Sequence, residues 1–312
     1  MLLAGETLDD VLKALYPPLL ASTNTVKTSR GETRELTGVL LEISKPRARL
    51  SRTETRGKPF SCLGELLWYF TADNSLEFIR RYIPRYVDES DDGQTVYGGY
   101  GPRLFRQRGQ DQISNVVALL KRKPNTRRGV IQLFDAEDIA ADHKEIPCTT
   151  TIQFLIRNGL LQAIVTMRSN DAFMGLPHDV FCFTMLQELV ARAVGVELGS
   201  YKHFAGSMHF YERDFVRAEQ YVSEGFQPRT EMPEMPKGEP WHAIDAILAA
   251  EGAIREGRAI DIEGLGLADY WSDLLRLLQV FFTKNDDARI DELKASMVFK
   301  KYGSYVLSRK GK

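Results

Sequence analysis

The sequence predicts a mixed α/β globular chain. Stretches with apolar residues at helical spacing, two alternating runs joined by Asn158-Gly159, and an apolar fraction of 43% over 312 residues together imply packed helices and sheet around an adequate core. Lysine plus arginine total 41 against 42 acidic residues, so bulk charge steers the chain neither toward nucleic acid nor toward membrane, and any anion site must be local. No apolar run approaches the roughly 20 residues that span a bilayer. The amino-terminal MLLAGETLDDVLKALYPPLL carries acids where a secretory signal has basic residues, and a cytoplasmic protein is expected. Cys62, Cys148 and Cys182 form no C-x-x-C pair and are read as free thiols.

Leu8, Val11, Leu12 and Leu15 recur at helical spacing behind Thr7, which predicts an N-capped amphipathic helix over 7–16. From about Thr25 to Thr55, short alternating segments such as TGVLLEIS read as strands joined by polar loops. SCLGELLWYFTA reads as a buried helix, ISNVVALLKRK as a second helix, and PNTRRGVIQLF as a turn leading into a strand. LPHDVFCFTMLQELVARAVG is apolar nearly all round, which marks a helix inside a large domain. Beyond about Gln227 a proline-rich connection leads to helix-period stretches near 241–257 and 268–283.

Asn158-Gly159 between two alternating runs is a strong hairpin signal, because a type I′ turn needs positive φ at both central residues. A two-residue turn there pairs Cys148 with Ser169 and Thr149 with Arg168, so a thiol and a guanidinium meet across two strands. A nearby cation favours the nucleophilic thiolate. A cysteine at a strand start is otherwise a packing residue.

At IPCTTTIQF, MRSNDAFMGLPHDV and GSMHFYERD the chain resembles the thymidylate synthase superfamily, and within it the deoxycytidylate hydroxymethylases, over roughly residues 25–215. Further matches lie at GELLWYF, VYGGYG and NTRRGV. The resemblance implies a thymidylate synthase-like α/β fold, with twisted, stacked sheets around a buried central helix and a sheet-to-sheet homodimer. Residues 1–226 would form the catalytic domain and 227–312 a helical carboxy-terminal extension. It further implies that Cys148 adds to carbon 6 of a pyrimidine nucleoside monophosphate, so that carbon 5 attacks the methylene of 5,10-methylenetetrahydrofolate, the co-substrate, with no metal. Glu65 would relay protons and Tyr97 would assist proton removal at carbon 5. Arg168 and Ser169 would hold the phosphate, together with Arg127 and Arg128 from the neighbouring subunit and a closing Arg30. His209 and Tyr211 would hold the ribose 3′-hydroxyl, and Asp171 would contact the folate. Without the resemblance, Arg127-Arg128 is a solvated face, Glu65 a helix-end surface residue and Tyr97 a packed loop residue.

Asp179 stands where the family's synthases have asparagine. An ionised carboxylate accepts from the 4-amino group of cytosine and, with a proton shared at ring nitrogen 3, satisfies that edge, which points to cytosine; the alternative is an N-cap aspartate. His178, where the family has phenylalanine, is read as a packing variant. Glu145 in place of an apolar residue, no tryptophan in YIPRYVDES, and an ending YVLSRKGK unlike the synthase tail all favour water over hydride at the last step. The expected activity is therefore 5-hydroxymethylation of deoxycytidine monophosphate first and cytidine monophosphate second. Methylation of deoxyuridine monophosphate, or a nucleotide- or RNA-binding protein without chemistry, are the competing readings.

Overall fold

A computed structural model describes residues 1–28, 30–51 and 59–311. Its strands are β1 (Leu2–Gly5), β2 (Thr25–Thr28), β3 (Gly31–Ile43), β4 (Val130–Gln132), β5 (Thr149–Arg157), β6 (Leu160–Asp171) and β7 (Glu197–Tyr211). The helices are α1 (Leu8–Leu20), α2 (Pro59–Phe70), α3 (Leu76–Ile79), α4 (Tyr100–Phe105), α5 (Gln112–Arg122) and α6 (Gly175–Val194). They continue with α7 (Phe215–Ser223), α8 (Trp241–Arg255), α9 (Asp269–Phe282), α10 (Asp287–Ser296) and α11 (Gly303–Leu307). None is long and apolar enough to cross a membrane among the described residues.

The strands form one mixed sheet in the order β1-β3-β7-β6-β5-β4, with β2 also on β3. Strand β6 shows why it faces both ways. Leu161, Ala163, Val165 and Met167 are buried while Gln162, Ile164 and Thr166 between them are half-exposed, the period-two signature of a sheet packed on one side. Helix α6 fills that buried side. Most of it is buried, and it ends where Gly195 adopts φ 85°, the left-handed conformation a helix stop favours. It connects β6 to its parallel partner β7, a pairing that needs a crossover of this kind.

Helix α1 begins as predicted. The Thr7 hydroxyl accepts from Asp10 N at 3.0 Å and Asp10 Oδ2 accepts from Thr7 N at 3.1 Å, a complete capping box, but the helix runs on to Leu20. Strand β1, which pairs in parallel with β3, lies in a segment that gave no strand signal. The strand-like reading of 25–55 is met by β2 and β3 up to Ile43; residues 52–58 lie outside the described residues.

Helix α2 is buried on almost every side. At Gly64 an added Cβ would stand 2.1 Å from the Tyr82 ring, so Gly64→Ala must displace a buried aromatic residue. A loss of about 1–3 kcal/mol is expected, read as a lower urea midpoint with an unchanged slope. The helices beyond Gln227 pack on this same core. Tyr82 donates to Glu251 Oε1 at 2.7 Å and stacks on Phe281 at 5.2 Å, and Glu188 on α6 accepts from Met235 N at 3.0 Å while pairing with the buried Arg49.

Candidate active site

The hairpin forms with the predicted turn, Asn158 at φ 52° and Gly159 at φ 75°. Pairing is regular from Arg157↔Leu160 to Thr151↔Thr166 and then shifts, so that Thr149 faces Met167. The cause is a bulge at Thr150, whose carbonyl turns away from β6 to accept from Leu133 N at 2.9 Å and Phe134 N at 3.2 Å. This corrects the expected register. Cys148 now lies beside Arg168 itself, whose backbone N–H donates to Cys148 O at 2.8 Å. The guanidinium is held by Pro147 O and Ile146 O, each at 3.0 Å, and lies 3.5 Å from Cys148 Sγ. Arg168 favours the thiolate as expected, but its charge is outweighed. Burial, then the Glu145 charge, pushes the Cys148 thiol up to about 12, more than the Arg168 charge lowers it.

A cavity of about 450 Å³ opens over this cysteine. Its walls come from α2, α6, the ends of β6 and β7, and the segments that carry Tyr86 and Tyr100; none of the described residues beyond Arg213 lines it. Glu65 projects from α2 and is only 7% exposed. Its Oε1 accepts from Tyr86 at 2.9 Å and Tyr69 at 3.2 Å, and its Oε2 lies 2.8 Å from His178 Nδ1. His178 is thus more than a packing variant.

Asp179 sits in the second turn of α6, past the N-cap position, so capping does not account for it. Asn170 donates from Nδ2 to Asp179 Oδ2 at 2.8 Å, and Asn170 Oδ1 lies 3.0 Å from His203 Nε2. His203 Nδ1 lies 2.9 Å from the Tyr201 hydroxyl. Burial pushes His203 down to about 3, so it is neutral, and with Asn170 donating to Asp179 the consistent chain runs tyrosine to histidine to asparagine to Asp179. Burial, then the charge of Glu65, raises the Asp179 carboxyl to about 8. At neutral pH it is mostly the acid.

Other expected residues divide. Arg30, Ser169, Asp171, His209 and Tyr211 line the cavity. Arg30 is paired with Glu89 and, at 3.2 Å, with Glu145. His209 and Tyr211 share a face of β7, their rings 5.2 Å apart, and Asp171 caps the turn into α6 through Phe173 N at 2.8 Å. Arg127 and Arg128 are exposed on the loop before β4 and do not line the cavity. Tyr97 does not line it either. Its ring stacks on His143 at 3.6 Å with Arg103 over it, and the following Gly98 and Gly99 sit where a Cβ would meet Ile146 and Asn74. Tyr100 takes the inward place, its hydroxyl 3.1 Å from Thr149 N and 2.9 Å from Thr149 Oγ1, next to Cys148. Sequence reasoning missed Tyr69, Tyr86, Tyr100, Asn170 and His178. The second tyrosine of VYGGYG and the polar residue between Ser169 and Asp171 were the available signals for two of them.

The family model described as Thymidylate synthase matches residues 25–247. A Pseudomonas phage M6 protein named deoxyuridylate hydroxymethyltransferase is 37% identical over 162 residues, 51% of this chain and 46% of the relative, so the chain spans less than half of that relative's length. A Delftia phage PhiW-14 protein of the same name is 27% identical over 270 residues, 72% of this chain and 75% of the relative. The crystal structure of thymidylate synthase from T4 phage shares the fold with a TM-score of 0.59 at 21% identity, covering 72% of this chain and 85% of that one. Because the family match takes in the cysteine hairpin, α2 and α6 and runs over more than half of the residues, the chain belongs to the thymidylate synthase family.

Proposed function

We propose that the chain transfers a one-carbon unit from 5,10-methylenetetrahydrofolate to carbon 5 of a pyrimidine deoxynucleoside monophosphate and finishes by adding water, giving a 5-hydroxymethyl product, with deoxyuridine monophosphate as first substrate. The observation that carries this reading is one cavity lined by Cys148, Glu65 and Asp179, with the Arg168 guanidinium 3.5 Å from the thiol. Cys148 adds to carbon 6, Glu65 and Tyr100 move protons around the ring, and Arg168 with Ser169 and Arg30 holds the phosphate. His209 and Tyr211 hold the 3′-hydroxyl. Trp68, Ile83, Tyr86 and Met174 give the cavity an apolar wall that suits the flat ring of a folate, with Asp171 at its edge. The folate supplies the methylene.

Uracil as the base is supported by the names of the two phage relatives and by the chemistry of Asp179. The cytosine expectation presumed an ionised carboxylate. A neutral acid donates to O4 and accepts from N3–H of uracil, as asparagine does, and by exchanging its two oxygens it also fits cytosine. Deoxycytidine monophosphate is the second reading, favoured by aspartate standing where synthases have asparagine. Hydration is supported by Glu145, paired with Arg30 beside the nucleophile, and by the absence of residues 214–311 from the cavity lining.

As a further part of this proposal, residues 1–226 form the catalytic domain and 227–312 an extension packed on it. Dimerisation through the half-exposed sheet face, which carries Leu155, Ile164 and Phe204, would let Arg127 and Arg128 reach a second copy's cavity. The test is mass spectrometry of products after incubation with methylenetetrahydrofolate and each of the deoxy and ribo forms of uridine and cytidine monophosphate. A hydroxymethyl addition to deoxyuridine monophosphate is expected. Methyl addition, or none, overturns the reading.

A further inference from the structure

Glu65 is met from three sides, and His178 is the side chain that departs from the family pattern. An ionised carboxylate offers about four lone-pair sites. Tyr69 and Tyr86 occupy the two on Oε1 and His178 occupies one on Oε2, so the remaining site is on Oε2 of a residue that lines the cavity. The imidazole is fixed from its other side by Ser61 Oγ, 3.2 Å from Nε2. Both ring nitrogens are therefore engaged by α2, an arrangement that packing alone does not require.

We propose that His178 is a positioning residue for the water-adding step: by holding Oε2 of Glu65 it aims the last lone pair into the cavity, where Glu65 takes the proton of the attacking water. The inference rests on the hydroxymethyltransferase reading. In this step the water oxygen bonds the exocyclic methylene on carbon 5. The double-bond pair moves into the ring and expels the Cys148 thiolate from carbon 6, while the water proton passes to Glu65. Nothing is oxidised or reduced. A methylating site delivers hydride to the same carbon and needs no base for water.

Among the described residues, the titratable groups around the pair are Cys62 and Tyr69 of α2, Asp179 and Cys182 of α6, and Tyr86. Burial opposes a charge on His178, but Cys62 and the Glu65 carboxylate outweigh it and raise the imidazole to about 10. Its donor toward Glu65 is kept through the neutral range.

The test compares full-length wild type with His178→Phe and His178→Gln, using deoxyuridine monophosphate and methylenetetrahydrofolate, and reads both product and the mass of acid-quenched protein. For His178→Phe, kcat for hydroxymethyl formation is expected to fall about 30- to 100-fold, with the nucleotide KM within about threefold. Protein carrying nucleotide plus methylene on Cys148 should accumulate. His178→Gln, which keeps a donor, should return kcat to within about tenfold of wild type. Should the phenylalanine substitution not fold, His178→Leu gives the same reading. An unchanged kcat, or a fall with no accumulated adduct, overturns the proposal, as does a loss explained by weaker nucleotide binding in both variants. Wild-type protein that methylates, or that does nothing, overturns the functional reading and the inference with it.

Discussion

Cys148→Ala is expected to abolish product formation, a loss on the order of 10⁴-fold or more, while nucleotide affinity measured by calorimetry changes only a few-fold. Carbon 5 of a pyrimidine is a poor nucleophile until a thiolate has added to carbon 6, so no other group in the cavity can substitute. The chemistry also has a signature in the free protein. With the thiol raised to about 12 by burial and Glu145, the thiolate fraction near pH 8 is on the order of 10⁻⁴. Alkylation of Cys148 by iodoacetamide should therefore be slow at neutral pH and climb steadily as pH rises toward the thiol's own value. Removing the opposing charge with Glu145→Gln should speed it, and Arg168→Ala should slow it. Fast labelling that levels off near pH 7 would show that the arginine prevails over burial. Nucleotide binding would then find the nucleophile already formed, and the role given to Glu145 would have to be abandoned.

How far the sequence could be read depended on the range of the interactions involved. The hairpin turn was legible because positive φ at Asn158 and Gly159 is a demand local to two residues. The register at its far end was not, since the bulge is decided by Leu133 and Phe134, just past β4 and roughly 17 residues earlier in the chain, donating to Thr150. Arg168 was still placed beside Cys148, one step off. Between Tyr97 and Tyr100 lie two glycines at which a Cβ would meet Ile146 and Asn74, neighbours absent from any window around VYGGYG. Helices α8 and α9 were legible from their apolar period, whereas α10 has no marked apolar face and gave no signal. His178 on Glu65 joins residues 113 apart in sequence. Composition has no access to such a pair, and a histidine in place of phenylalanine reads as a size-conserving change until its ring nitrogens are seen to be occupied.

Asp179→Asn is the second large effect, and it has two readouts with opposite origins. The first is selectivity. Asn170 Nδ2 donates to Oδ2 of residue 179, and the neutral His203 completes the chain with Nε2–H toward Asn170 Oδ1 and Nδ1 toward the Tyr201 hydroxyl. The acid proton is thereby left to Oδ1, free to move between oxygens only by breaking that bond. An asparagine in its place has a permanent donor and a permanent acceptor, and can no longer adapt to cytosine. Turnover of deoxycytidine monophosphate relative to deoxyuridine monophosphate should fall by about 10²-fold or more. The second readout is stability. A carboxyl whose folded value is raised from 3.8 to about 8 binds its proton more tightly when folded. Its contribution is complete below about pH 4, declines as pH rises through that window, and is gone above about pH 8. The asparagine variant has no such term, so its stability relative to wild type should climb between pH 4 and pH 8, by on the order of a few kcal/mol, and then hold level. Urea unfolding of both proteins across this range measures it. A difference that stays flat would mean Asp179 is ionised in the folded protein, and the case would return to cytosine, for which a carboxylate sharing its proton with ring nitrogen 3 is the better partner.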